Sequence, residues 1–83
     1  MRYVLSDHAR TVIAEREIRT AWLEQVLERP DMVRDDEDDP ELEHRLGVVH
    51  EHGDRVLRVI INKTVRPVRV VTTYFDRTMR NRL

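Results

Sequence analysis

The chain has 83 residues, 40% apolar and 37% charged, with a formal net charge of −1 and no cysteine. That length holds one small domain, and the composition is globular rather than disordered. Without thiols there is no disulfide framework, zinc–thiolate centre or cysteine nucleophile.

Residues 2–5, RYVL, are strand-formers and predict a short first strand. Ser6 then reads as a helix N-cap, with Asp7 in the first turn at the positive end of the helix dipole. Ala9, Val12 and Ile13 form the inner stripe of a first helix, with Arg16 at its rim. That helix is expected to end near Glu17, with Ile18 as a buried anchor. Thr20 reads as the next N-cap. Trp22, Leu23, Val26 and Leu27 give the second helix a broad apolar face, and Pro30 stops it at about Glu28 or Arg29.

Met32 and Val33 can begin a strand. Residues 35–43 then carry seven carboxylates around Pro40, a run that repels itself and predicts an exposed acidic loop. HRLGVVHEH (44–52), RVLRVIINK (55–63) and PVRVVTTYF (67–75) are strand-like. Gly53-Asp54 and Lys63–Arg66 are the turns between them. The remainder, DRTMRNRL (76–83), is expected to be a flexible basic tail. The fold class is therefore α+β in a single domain over 1–83. Two short helices pack on one face of an antiparallel sheet of three to four strands, in the order β-α-α-β-β-β.

Charge is uneven. Residues 1–43 hold 6 basic and 13 acidic side chains, and residues 44–83 hold 9 and 3. An anionic partner is therefore sought near the second half. A two-residue turn at Gly53-Asp54 sets Val48 opposite Val59 and Leu46 opposite Ile61. Alternation then places Leu46, Val48, His50, Leu57, Val59, Ile61, Val68, Val70, Thr72 and Tyr74 under the helices. The opposite face collects Arg45, Arg58 and Arg69, one per strand, among β-branched residues. Planar guanidinium groups beside apolar or aromatic groups suit phosphate and stacked bases. The plain alternative is a solvated face, or one covered by a second copy.

His50 and His52 share a strand face, but no third ligand accompanies them, so neither metal nor cofactor is expected. His8, at the second helical position, is the candidate general base. There is no P-loop and no Ser-His-Asp set. No segment approaches the roughly 18 apolar residues of a membrane span, and the start lacks a signal-peptide run. A cytoplasmic protein with no membrane contact is expected.

SDHARTVIAEREI (6–18), VLERPD (26–31) and VRVVTTYF (68–75) resemble domain-of-unknown-function family 4258, whose pattern opens "sxHAxxRxxxRgI" and closes on "vvTvY". His8, Ala9, Arg16, Ile18, Val26, Leu27, Pro30, Asp31, Tyr74 and one of Thr72 and Thr73 stand at matching positions. The pattern's first arginine is Val12 here and its glycine is Glu17. The family in turn resembles, at the level of fold, the compact RelE/BrnT-type toxins of bacterial toxin–antitoxin pairs, many of which cleave messenger RNA. The resemblance implies a RelE-like fold. Two functions are compatible with it. The first is a protein-interaction module of toxin-like fold, with a homodimer or an antitoxin protein as partner. The second is a metal-independent ribonuclease with His8, Arg58, Arg69 and Tyr74 as catalytic residues. Arg45, Arg16 and Arg77 would bind RNA or the partner. Whether the protein is an enzyme is left open at this point.

Overall fold

The computed structural model describes residues 1–83. Strand β1 (Tyr3–Leu5) leads into helix α1 (Asp7–Glu15) and helix α2 (Thr20–Glu28). Four further strands follow: β2 (Met32–Asp35), β3 (Leu42–Val49), β4 (Arg55–Asn62) and β5 (Val68–Phe75). They build one five-stranded sheet in the order β1-β5-β4-β3-β2. The sheet is mixed, because β1 runs parallel to β5 while the other pairs are antiparallel. This exceeds the three to four antiparallel strands expected, since the short β1 and β2 both join the sheet as its edges.

Local chemistry sets the helix ends. The Ser6 side chain accepts the Ala9 N–H at 3.0 Å, the N-cap bond that starts α1. At the other end the Ile18 N–H reaches Ile13 O at 3.0 Å and the Glu17 N–H reaches Ala14 O at 3.3 Å. This is a Schellman closure, and it requires a left-handed residue at Glu17, whose φ is 53°. Glycine adopts that conformation without a Cβ penalty, so the glycine of the family pattern fits the same turn. Ile18 beyond it is 4% exposed, the anchor expected. The N-cap of α2 is Arg19 rather than Thr20, and no side chain caps that helix.

One core joins both helices to the sheet. Ala9, Ile18, Trp22, Leu23, Val26 and Leu27 pack on Val49, Leu57, Val59, Ile61 and Val70. Burial of these apolar surfaces at roughly 25 cal/mol per Å² is the main force holding two nine-residue helices that would not persist alone. Gly47 is part of the same fit. A Cβ there would stand 2.9 Å from Val26 Cγ2, so α2 approaches β3 at a distance only glycine allows.

The register corrects the expected faces. Val48 pairs with Val56 and Leu46 with Arg58, three residues from the predicted alignment. The link is five residues, not two. His50–His52 form a 3-10 turn, followed by Gly53 and Asp54 with φ of 67° and 56°. An odd shift exchanges the faces of β3 relative to β4. Leu46 and Val48 therefore turn away from the helices, while Gly47 and Val49 face them. A second change of phase lies in β5. Ile60 pairs with Thr72 but Ile61 with Val70, so Val71 is a bulge residue. Thr73 and Phe75 consequently join the helix face, and Thr72 and Tyr74 leave it.

Candidate functional site

The residues singled out in the first helix meet the exposed flank of β5. β1 pairs only with Val68, Arg69 and Val70. Beyond Val70 the outer edge of β5 has no strand beside it, and α1 supplies side chains instead. Ser6 Oγ donates to Val71 O at 2.9 Å. His8 Nε2 lies 3.1 Å from Thr72 Oγ1. Arg16 Nη1 donates to Thr73 O at 2.9 Å. Unpaired strand carbonyls otherwise invite another chain, and three side chains here occupy that stretch. Val12, where the family pattern has an arginine, is 5% exposed and apolar.

The three sheet arginines do not form one surface. Arg45 lies beneath the helical layer, where Nη1 donates to Leu27 O at 2.7 Å and Nε to Glu43 at 3.0 Å. It meets the last turn of α2, where a cation satisfies a free helix carbonyl. Arg58 does face away from the helices, as expected, but it is engaged. Its guanidinium meets Asp76 Oδ2 at 2.9 and 2.8 Å, with side chains only 14% and 10% exposed. Its Nη1 also lies 2.7 Å from His44 Nδ1. Because a guanidinium can only donate, Nδ1 is the acceptor, and Nε2 carries the proton that reaches Asp36 at 2.6 Å. Arg69 is exposed and pairs with Asn62 at the far end of β4. The supposed row of guanidinium groups is thereby broken, and two of its three members are consumed by internal bonds.

Electrostatics in this network favour the carboxylates. Burial pushes the Asp76 carboxyl up, but bonds from the Thr78 hydroxyl, Arg58 and the Thr78 N–H outweigh it and hold it below its ordinary value. Asp36 is also held low, first by the His44 bond and then by the N–H groups of Asp39 and Asp38. Asp36 thus organises the acidic loop that it belongs to. Tyr74 is the direct cross-strand neighbour of Arg58 on the open face, and Thr72 stands two residues from Tyr74. A path from His8 through Thr72 thus runs along β5 to Tyr74 and crosses to Arg58 on β4, whereas Arg69 does not join it. His50 sits in the 3-10 turn against Asp54 at 2.8 Å, and His52 packs on Trp22 and Phe75. No group of three His, Asp or Glu side chains is arranged to hold a metal ion.

A different cluster is built where the sheet ends. Asp76 caps a 3-10 turn, Arg77–Met79, by accepting from the Thr78 N–H and hydroxyl at 2.9 and 2.6 Å. The Asp76 N–H also donates to Val56 O at 2.8 Å, which ties the turn to β4. The start of the segment expected to be a flexible basic tail, residues 76–79, is thus a turn tied to the sheet. Between the turn and the start of β4 lies a recess of about 350 Å³, lined by Arg55, Val56, Phe75, Asp76, Arg77 and Arg80. The three arginines are exposed, and none is within ion-pair distance of a carboxylate. Asp76 is already spent on Arg58 and the turn. Phe75 is braced from behind by Trp22 at 5.9 Å and His52 at 4.9 Å between ring centroids. Of these residues only Arg77 is a candidate from the sequence. Asp76-Arg77-Thr78 is a capping pattern that signals a turn rather than a loose tail, and that turn gathers Arg55 and Arg80.

Against known proteins, residues 5–75 match the sequence profile of DUF4258, a domain of unknown function. No curated protein and no solved structure matches the chain.

Proposed function

The chain belongs to the DUF4258 family, and on that footing we propose that it is a binding module rather than a catalyst, taking an anionic group of its partner between Arg55, Arg77 and Arg80. The observation that carries this reading is the contrast between two sets of arginines. Arg45 and Arg58 are closed by internal carboxylates, whereas the three at the end of the sheet share a recess and have no counter-charge. Like charges gathered without a partner repel one another and lower stability slightly, so a bound anion relieves a cost that the free protein carries. The module is of toxin-like, RelE-like fold and works in the cytoplasm, its partner being an antitoxin protein, an RNA or a second copy. No helix is long and apolar enough to cross a membrane.

Retention on phosphocellulose tests it. The unaltered protein is retained, and Arg55→Gln/Arg77→Gln/Arg80→Gln elutes at lower salt. Arg2→Gln/Arg10→Gln/Arg29→Gln, which removes the same charge from other exposed positions, stays retained. Equal loss in both triple variants would leave no role for the recess.

The second reading is the metal-independent ribonuclease, favoured by the path from His8 through Thr72 and Tyr74 to Arg58. Cleavage without a metal needs a base, a cation for the scissile phosphate and an acid for the leaving oxygen. Asp76 neutralises the cation of this set, which is why binding is preferred here. RNA cleavage that disappears in His8→Ala but survives Arg55→Gln/Arg77→Gln/Arg80→Gln would reverse the order of the two readings.

A further inference from the structure

The recess at the end of the sheet offers more than charge. It combines three guanidinium groups with one aromatic ring, in a volume of about 350 Å³. Ligand pockets begin at roughly 300 Å³, so the space is that of a small molecule or one residue of a polymer. Resting on the binding role argued above, we infer that its ligand is a nucleoside monophosphate unit, with the phosphate on Arg55, Arg77 and Arg80 and the base against Phe75.

Each part of the ligand answers a feature of the site. A terminal phosphate carries about −1.5 to −2 at neutral pH and presents three strong acceptor oxygens. Guanidinium forks match such oxygens in pairs, and three of them balance that charge where a single carboxylate of an acidic peptide would not. The Asp76 carboxylate also lines the recess, but its oxygens already accept from Arg58 Nε and from the Thr78 N–H and hydroxyl. It therefore fixes the turn that carries Arg77 and Arg80 instead of competing for them. Phe75 is held by Trp22 and His52, so its ring offers a rigid flat surface, and stacking accepts any base.

The surroundings select a short ligand or a strand end over a long tract. Arg58 bonds Asp76 on one side and His44 on the other, and His44 bonds Asp36 at the head of the acidic run. A polyanion continuing across the open face meets that run and is repelled. The chain's net charge of −1 likewise gives no general attraction for nucleic acid. The same chemistry is presented by a free nucleoside monophosphate and by a phosphorylated strand terminus.

Trp22 is the only tryptophan and touches both Phe75 and His52, so its fluorescence reports on the recess, while titration calorimetry measures binding independently. The probes are inorganic phosphate, adenosine and uridine monophosphates, and a short single-stranded oligonucleotide with and without a 5′-phosphate. The expected result is binding of both monophosphates about tenfold or more tighter than phosphate, with a change in Trp22 emission. Arg77→Gln/Arg80→Gln weakens monophosphates by about tenfold or more. Phe75→Leu brings them to the level of phosphate while leaving phosphate itself unchanged, which also shows that this variant is folded. A 5′-phosphorylated oligonucleotide that binds like the monophosphates identifies the strand end as a source, and one that does not bind identifies the free nucleotide. Monophosphates no tighter than phosphate would overturn the nucleotide assignment and leave the anion-binding role standing. No binding by any probe would overturn both. Calorimetric binding that neither moves Trp22 emission nor responds to the arginine substitutions would put the ligand elsewhere and overturn the site.

Discussion

Replacing Asp76 by alanine is the sharpest test of how the end of the sheet is held. The Arg58 guanidinium, whose side chain is 14% exposed, would lose its only carboxylate and keep one neutral imidazole partner. Breaking a fully buried pair costs roughly 3–5 kcal/mol, because the remaining charge stays desolvated. The residual exposure here brings that to about 2–3 kcal/mol. Loss of the cap on Thr78 adds about 0.5–1 kcal/mol. The total of about 3 kcal/mol is a large part of the roughly 4–12 kcal/mol available to a domain of this size. At about 4–8 °C per kcal/mol it lowers the midpoint of thermal unfolding by roughly 12–24 °C. Urea unfolding followed by Trp22 fluorescence and circular dichroism measures the loss. Arg58→Met/Asp76→Ala removes the stranded charge, and is expected to recover at least half of it. A cost below about 1 kcal/mol for Asp76→Ala, or a double variant as damaged as the sum of the two single ones, would show that the pair behaves as a surface contact.

Three further outcomes follow from positions already described. Glu17→Gly is expected to stabilise by about 0.5–1 kcal/mol, read from the urea midpoint, because φ of 53° carries a Cβ penalty that outweighs the added freedom of the unfolded chain. Gly47→Ala is expected to cost about 1–3 kcal/mol through the 2.9 Å approach to Val26 Cγ2, and Val26→Ala in the same chain makes the second change nearly free of that clash. Acid titration of stability tests the depressed Asp76 carboxyl. Its contribution is complete above the ordinary value of 3.8 and is lost as pH falls below it through the lower folded value. The slope of urea midpoint against pH in that window should therefore flatten in Arg58→Met/Asp76→Ala.

Much of the chain order was legible in local signals. Ser6, the stripe of Ala9 and Val12, the face from Trp22 to Leu27 and the stop at Pro30 each act over a few residues, and both helices lie where those signals put them. What the strands face depends instead on counting between distant residues. HRLGVVHEH alternates in a way that suits a strand to its end, but its last three residues coil into a 3-10 turn, and that moves every partner by three. Val71 adds a further step inside β5, and nothing in VVTTYF marks which of two successive β-branched residues is skipped. Alternation alone therefore puts Arg45 on the open face and Thr72 and Tyr74 beneath the helices, each the reverse of what the register makes them. The recess was hidden for another reason, since Arg55 comes from the start of β4 and Arg77 and Arg80 from a turn after β5 that is set by a single aspartate.

The stepped flank formed by β1 and the bare half of β5 has a consequence for assembly. A straight strand running along that side would have to jump by one strand spacing, about 4.8 Å, and would meet Ser6, His8 and Arg16 in its path. At the opposite side of the sheet, β2 presents an unbroken four-residue border with Val33 49% exposed. A molecule that adds a strand at β2 alone joins one neighbour there and has that border sealed. Pairing through that border would close two copies on each other rather than build an open array.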